Sequence, residues 1–134
     1  MIRLEEFEES VERALLLLPD KIRAMMDNVT VCIDDNPSPE QLKNLGMKYN
    51  SALLGLYEGI PMNIWGRGQG NNLPDKITIF RIPIESMTTS PEDREELIRD
   101  VVWHEVAHHF GFDEKKISQM ERKWRSRKKD FVIK

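Results

Sequence analysis

Between Ser90 and Gly111 the sequence reads SPEDREELIRDVVWHEVAHHFG. Both ends of a helix are written into it. Ser90 suits the N-cap, where its hydroxyl can accept a hydrogen bond from the first turn. Pro91 suits the first helical position, where a missing N–H costs nothing. Asp93 stands three residues after the cap, and Glu92, Asp93, Glu95 and Glu96 place negative charge at the helix start. Gly111 can take the positive φ that ends a helix. The spacing predicts a helix from Pro91 to about Phe110. Its second half, LIRDVVWHEVAHHF, is apolar on most sides, so the rest of the fold must cover it. At 134 residues the chain is expected to form one domain, 1–134, with a single sizeable core around that helix.

The remaining elements follow from periodicity. Leu4, Phe7, Val11, Ala14, Leu15 and Leu18 recur at three- and four-residue spacing, which predicts an amphipathic helix over 3–18 ended by Pro19. DKIRAMMDN reads as a second short helix, with Ile22, Met25 and Met26 inward. VTVCID (29–34) is β-branched and reads as a strand. In NPSPEQ, Ser38, Pro39 and Gln41 form a capping-box start, and the helix they open should end near Gly46. SALLGLYEGIP allows strand or turn. WGRGQGNNLPD (65–75) is a loop, and KITIFRIPI (76–84) is a strand ended by Pro83. A last helix is expected from an Asp113 cap through Ile117, Met120 and Trp124.

Composition removes several function classes. The net charge of −3 gives no global pull toward nucleic acid, so a nucleic-acid partner is not expected. The basic tail, 123–134, reads as a solvated face. Cys32 is the only cysteine, so no intrachain disulfide can form, and its place inside a strand marks it as a buried hydrophobe. The N-terminus is acidic where a signal peptide would be basic, and ALLLL is too short to cross a membrane. A cytoplasmic protein with no membrane contact is expected. The glycines of 65–75 have neither dinucleotide-fingerprint nor Walker spacing, which excludes a phosphate cradle.

The chemistry concentrates in HEVAHHFGFDE (104–114), which holds every histidine of the chain. His104 and His108 are four apart, so on a helix they share one face one turn apart and can hold one zinc ion. Glu105 is one step round the helix, placed to act as general base. This H-E-x-x-H spacing points to metal-assisted hydrolysis, in which zinc acidifies a water and Glu105 takes its proton. His109 points about 100° away from His108 and reads as a packed or hydrogen-bonded group. The third ligand is then a carboxylate or Cys32. Gly111 can fold the chain back, bringing Asp113 or Glu114 within reach. Asp113 is wanted as a cap, so Glu114 is preferred, with Asp113 the alternative.

The span 104–114 fits H-E-x-x-H-x-x-G-x-x-(H/D/E), and the chain resembles the small single-domain bacterial zincin-like metallopeptidases. The stretches that carry the resemblance are EEFEESVERALLLLP, MDNVTVCIDD, PSPEQL, LLGLYEGIP, LPDKITIFRIPI and VVWHEVAHHFGFDE. It implies an α+β, minimal zincin-like fold, in which a small mixed sheet packs against the N-terminal helices and the motif helix. It implies zinc on His104 and His108 with Glu105 as base. An acidic third ligand is usual in that family, which supports Glu114. A peptide or protein substrate is implied, with the strand 76–82 as the expected edge of its cleft. Met120 is the only methionine downstream of the motif and falls in an expected helix, not in a methionine turn. Tyr57 and Arg81 are the residues outside the cluster able to stabilise an oxyanion, although packing or a solvated charge accounts for each. The alternative to a peptidase is a zinc-binding interaction module on the same scaffold; an intact Glu105 argues against it.

Overall fold

The computed structural model describes residues 2–18, 20–24, 26, 28–48, 52–59, 75–113 and 115. The elements in chain order are α1 (Leu4–Leu16), α2 (Asp20–Ala24), β1 (Val29–Asp34), α3 (Pro39–Asn44), β2 (Gly55–Glu58), β3 (Asp75–Phe80), α4 (Arg81–Ser86) and α5 (Pro91–His109). The fold is α+β. Its sheet has the order β1-β3-β2, with β1 parallel and β2 antiparallel to the central β3.

Helix α5 is covered on nearly every side, as its sequence requires. Leu97, Ile98, Val101, Val102, Val106 and Ala107 are all buried. One flank meets α1, which contributes Phe7, Val11 and Ala14 at helical spacing. The other meets β2 and β3, and Ile77 and Ile79 point into the same core. The opposite face of the sheet packs Leu56 and Phe80 with Leu53 and Leu42, the last from α3. Leu4 is 47 % exposed, so the apolar stripe of α1 starts one turn later than its spacing predicts.

Local signals at the helix ends are realised as hydrogen bonds. Ser38 and Gln41 make both halves of the capping box on α3. Ser90 Oγ accepts from the Asp93 N–H at 3.0 Å on α5. The two helices also stop by the same device. In α5, the Phe112 N–H donates to the Ala107 carbonyl and the Gly111 N–H to the His108 carbonyl, with Gly111 at φ 88°. In α3, Met47 donates to Leu42 and Gly46 to Lys43, with Gly46 at φ 70°. Both pairs are Schellman caps, which need the left-handed conformation that glycine takes at little cost.

Two expectations for 76–84 are corrected. The strand begins at Asp75 and ends at Phe80, and the chain turns directly into α4. Pro83 has no N–H for a sheet ladder but fits the first turn of a helix, so RIPI folds as helix and not strand. Nor is 76–82 a cleft edge. β3 bonds to β1 on one side and to β2 on the other, which leaves it no unpaired backbone. The edge strand beside α5 is β2. The loop over 65–74, the helix expected after Asp113 and the basic tail lie outside the described residues. Among the described residues, no helix is long and apolar enough to cross a membrane.

Candidate metal centre

The last two turns of α5 carry His104, Glu105, His108 and His109. Four-residue spacing brings the His104 and His108 rings together, with centroids 5.0 Å apart and planes inclined by 64°. His104 is buried and His108 half-buried, so the pair runs from the core toward the surface. Glu105 is fully buried. A carboxyl group at that depth carries a desolvation cost, which a core helix would normally avoid by placing an apolar residue there.

Strand β2 makes room for that carboxylate. A Cβ at Gly55 would lie 2.6 Å from Val101 Cγ1 and 3.1 Å from Glu105 Oε2. Only a residue without a side chain lets β2 and α5 approach this closely. The glycine is therefore part of the site, although it brings no functional group to it.

His109 turns away from the His104–His108 face, as the 100° step per residue requires. Its Nδ1 lies 2.7 Å from Asp75 Oδ2, and both residues are buried. The Tyr57 hydroxyl donates to the same Oδ2, also at 2.7 Å. The Tyr57 ring is stacked on His108, with centroids 6.4 Å apart and planes 9° from parallel. It stands edge-on to His109 at 6.1 Å. Asp75 thus joins the first residue of β3, the middle of β2 and the end of α5.

The other sequence candidates separate clearly. Arg81 sits at the far end of β3 from Asp75, bonded to Asp35 at 2.8 Å and to Glu85 at 3.3 Å. Its guanidinium braces β1, β3 and α4 instead of reaching the histidines. Cys32 is opposite Thr78 in the β1–β3 ladder. Its neighbours Val31 and Ile33 pack into the α5 core, so alternation turns Cys32 to the other face of the sheet, away from the histidines. That removes it as a ligand. Asp113 follows the Gly111 turn and is exposed. Glu114 lies outside the described residues, as does Met120. Among the described residues no group of three or more metal-binding side chains is assembled; the assembled donors are the two imidazoles. Two imidazoles one turn apart match two of the three protein ligands that a catalytic zinc ion takes.

Sequence reading did not find Asp75, Gly55 or the partnership of Tyr57 with both histidines. The available signal was GLYEG (55–59), whose odd positions alternate small, aromatic, small. Its meaning depends on the register with β3 and the contact with α5.

A groove of about 570 Å³ lies between α1 and the start of α5, lined by residues including Glu6, Arg13, Glu92 and Glu95. It is at the opposite end of α5 from the histidines and holds none of the motif chemistry. No curated protein matches the chain. The model of the family described as zincin-like metallopeptidase matches residues 26–124. That span runs from β1 through the motif helix and past its terminal turn, so the match takes in sheet and helix together. On a match of that extent, the chain belongs to the zincin-like metallopeptidase family.

Proposed function

We propose that the protein is a zinc-dependent peptidase. In this reading His104 and His108 hold the metal, and an acidic residue after the Gly111 turn completes the set, Glu114 in preference to Asp113. Bound zinc supplies Lewis-acid chemistry, polarising a carbonyl group and making water a stronger acid. Glu105 then acts as general base and returns the proton to the departing amine. The observation that carries the reading is the full burial of Glu105 one residue from His104 and within a turn of His108. An interaction module on this scaffold would have no use for a carboxylate kept at that cost.

The substrate proposed is an extended peptide. Among the described residues β2 bonds to β3 on one side only. In this reading a peptide backbone pairs along its other side, beside the motif helix. Antiparallel β2 thus takes the role that the family resemblance suggested for 76–82.

Glu105→Gln decides between peptidase and binding module. The variant should keep its zinc, measured by elemental analysis, and lose peptide hydrolysis by roughly 10²–10⁴-fold, the usual contribution of a general base. Hydrolysis at the wild-type rate would remove the peptidase reading. His104→Ala should lower bound zinc, and unchanged stoichiometry would remove the metal assignment.

A further inference from the structure

Side chains on a strand alternate between its faces. On β2 and its exit, the face toward α5 is made by Gly55, Tyr57 and Gly59. Each of these positions accommodates a different polar group. Gly55 leaves space for Glu105. Gly59 leaves space for Asp75, whose Cγ would lie 2.6 Å from a Cβ at that position. Tyr57 stands between them, stacked on His108 and bonded to Asp75. The ladder pairs Tyr57 with Ile77, and continuing that register sets Gly59 opposite Asp75.

A histidine ring turns easily about its last torsion, whose energy profile is broad. A metal ligand needs that torsion fixed, and proteins usually fix it through a group packed or bonded outside the ligand. One group packed on His108 is the Tyr57 ring, nearly parallel to it with centroids 6.4 Å apart. Tyr57 in turn is tethered at its hydroxyl to a carboxylate only 2 % exposed. The same carboxylate oxygen holds His109 Nδ1, which ties the last turn of α5 to β3.

We infer that Tyr57 and Asp75 are positioning residues: Asp75 clamps the Tyr57 ring against His108 and so holds that imidazole in the orientation a metal requires. The inference rests on the assignment of zinc to His104 and His108. It gives two residues outside the motif a role in orienting a ligand, and it gives the glycines of GLYEG a function.

The test uses the full chain, with Tyr57→Phe, Tyr57→Leu, Asp75→Ala and Asp75→Asn. Zinc affinity is measured by chelator competition. The His108 ring is followed in metal-free protein through Overhauser contacts between its protons and the ring at position 57. Tyr57→Leu and Asp75→Ala should weaken zinc binding by about 10–100-fold, the range for residues that orient a ligand. Tyr57→Phe keeps the ring but loses the tether; it should show a smaller loss and weaker contacts to His108. Asp75→Asn keeps an acceptor oxygen and should stay closest to wild type. A purely structural role would lower the melting temperature alone. Zinc affinity within about twofold of wild type, with His108 contacts unchanged in Tyr57→Phe and Asp75→Ala, would overturn the inference. If Tyr57→Leu does not fold, Tyr57→Phe carries the test. If the wild-type protein takes up no zinc, the metal assignment fails separately, and the ring contacts in metal-free protein decide the positioning role alone.

Discussion

The two halves of α5 differ in what holds them. The first half buries Leu97, Ile98 and Asp100 but keeps its other charged residues at least partly exposed. Glu95 is bridged to Arg13 of α1, Ser90 caps the start, and Glu92 and Asp93 occupy the first turn. The second half has a carboxylate and two of its three imidazoles buried, with the glycine-bearing face of β2 against it. Charged groups at the first end could be exchanged with little consequence, because exposed ion pairs contribute little. At the second end each polar group is fixed by a neighbour of matching shape, and small changes of volume or torsion are felt. Function and tight packing coincide at one end of a single helix.

Substitutions along the helix sharpen that contrast. The largest effect on stability is expected at Gly55. Gly55→Ala drives a methyl group into Val101 and against Glu105, an overpacking that should cost about 1–3 kcal/mol, read from urea midpoints. A change within error would show that β2 and α5 are more loosely joined than the distances imply. At the opposite end, Ser90→Ala removes the hydroxyl that accepts from Asp93 and should cost about 1 kcal/mol, without altering zinc content. Loss of zinc in that variant would mean that the two halves are coupled, and would break the comparison.

The smallest effect belongs to Glu95. The hydrogen bond from Arg13 holds its carboxyl below the usual carboxylate range. The folded state therefore binds this proton less tightly than the unfolded state does. The stabilisation is complete above the unfolded value near pH 4 and is lost as pH falls through the folded one. Solvent screening keeps it small. Glu95→Gln should lower the urea midpoint slightly at pH 7 and by less at pH 3. A larger gap at pH 3 than at pH 7 would reverse the assigned direction.

The elements most legible in the sequence were those governed by local chemistry. β1 occupies the predicted residues, 29–34. The caps of α3 and α5 were readable because Ser38, Gln41, Ser90, Gly46 and Gly111 bond within a few residues of themselves. The strand over 76–84 was drawn too long. Its apolar pattern continues through Ile82 and Ile84, yet Ile84 buries itself from a helix as readily as it would from a strand. β2 stayed ambiguous between strand and turn, because a four-residue strand flanked by glycines has little periodicity to read. Of the candidate site, the spacing of His104, Glu105 and His108 was visible as a motif. The Asp75 bond to His109 spans 34 positions and follows from the order β1-β3-β2, which no local pattern encodes. The preference for Glu114 over Asp113 rests on capping logic and on the family's usual acidic ligand.

The glycine face of β2 also bears on how the site comes into being. An isolated segment 90–114 would hold every histidine but neither Tyr57 nor Asp75. The surroundings of the motif arise only when β2, distant in sequence, closes onto α5, and β2 is itself held in place by pairing with β3. Contacts of that range form slowly, after the loops between them have closed. A metal ion favouring the finished arrangement over the open chain would draw the folding equilibrium toward it, so that metal supply and the yield of folded protein become linked quantities.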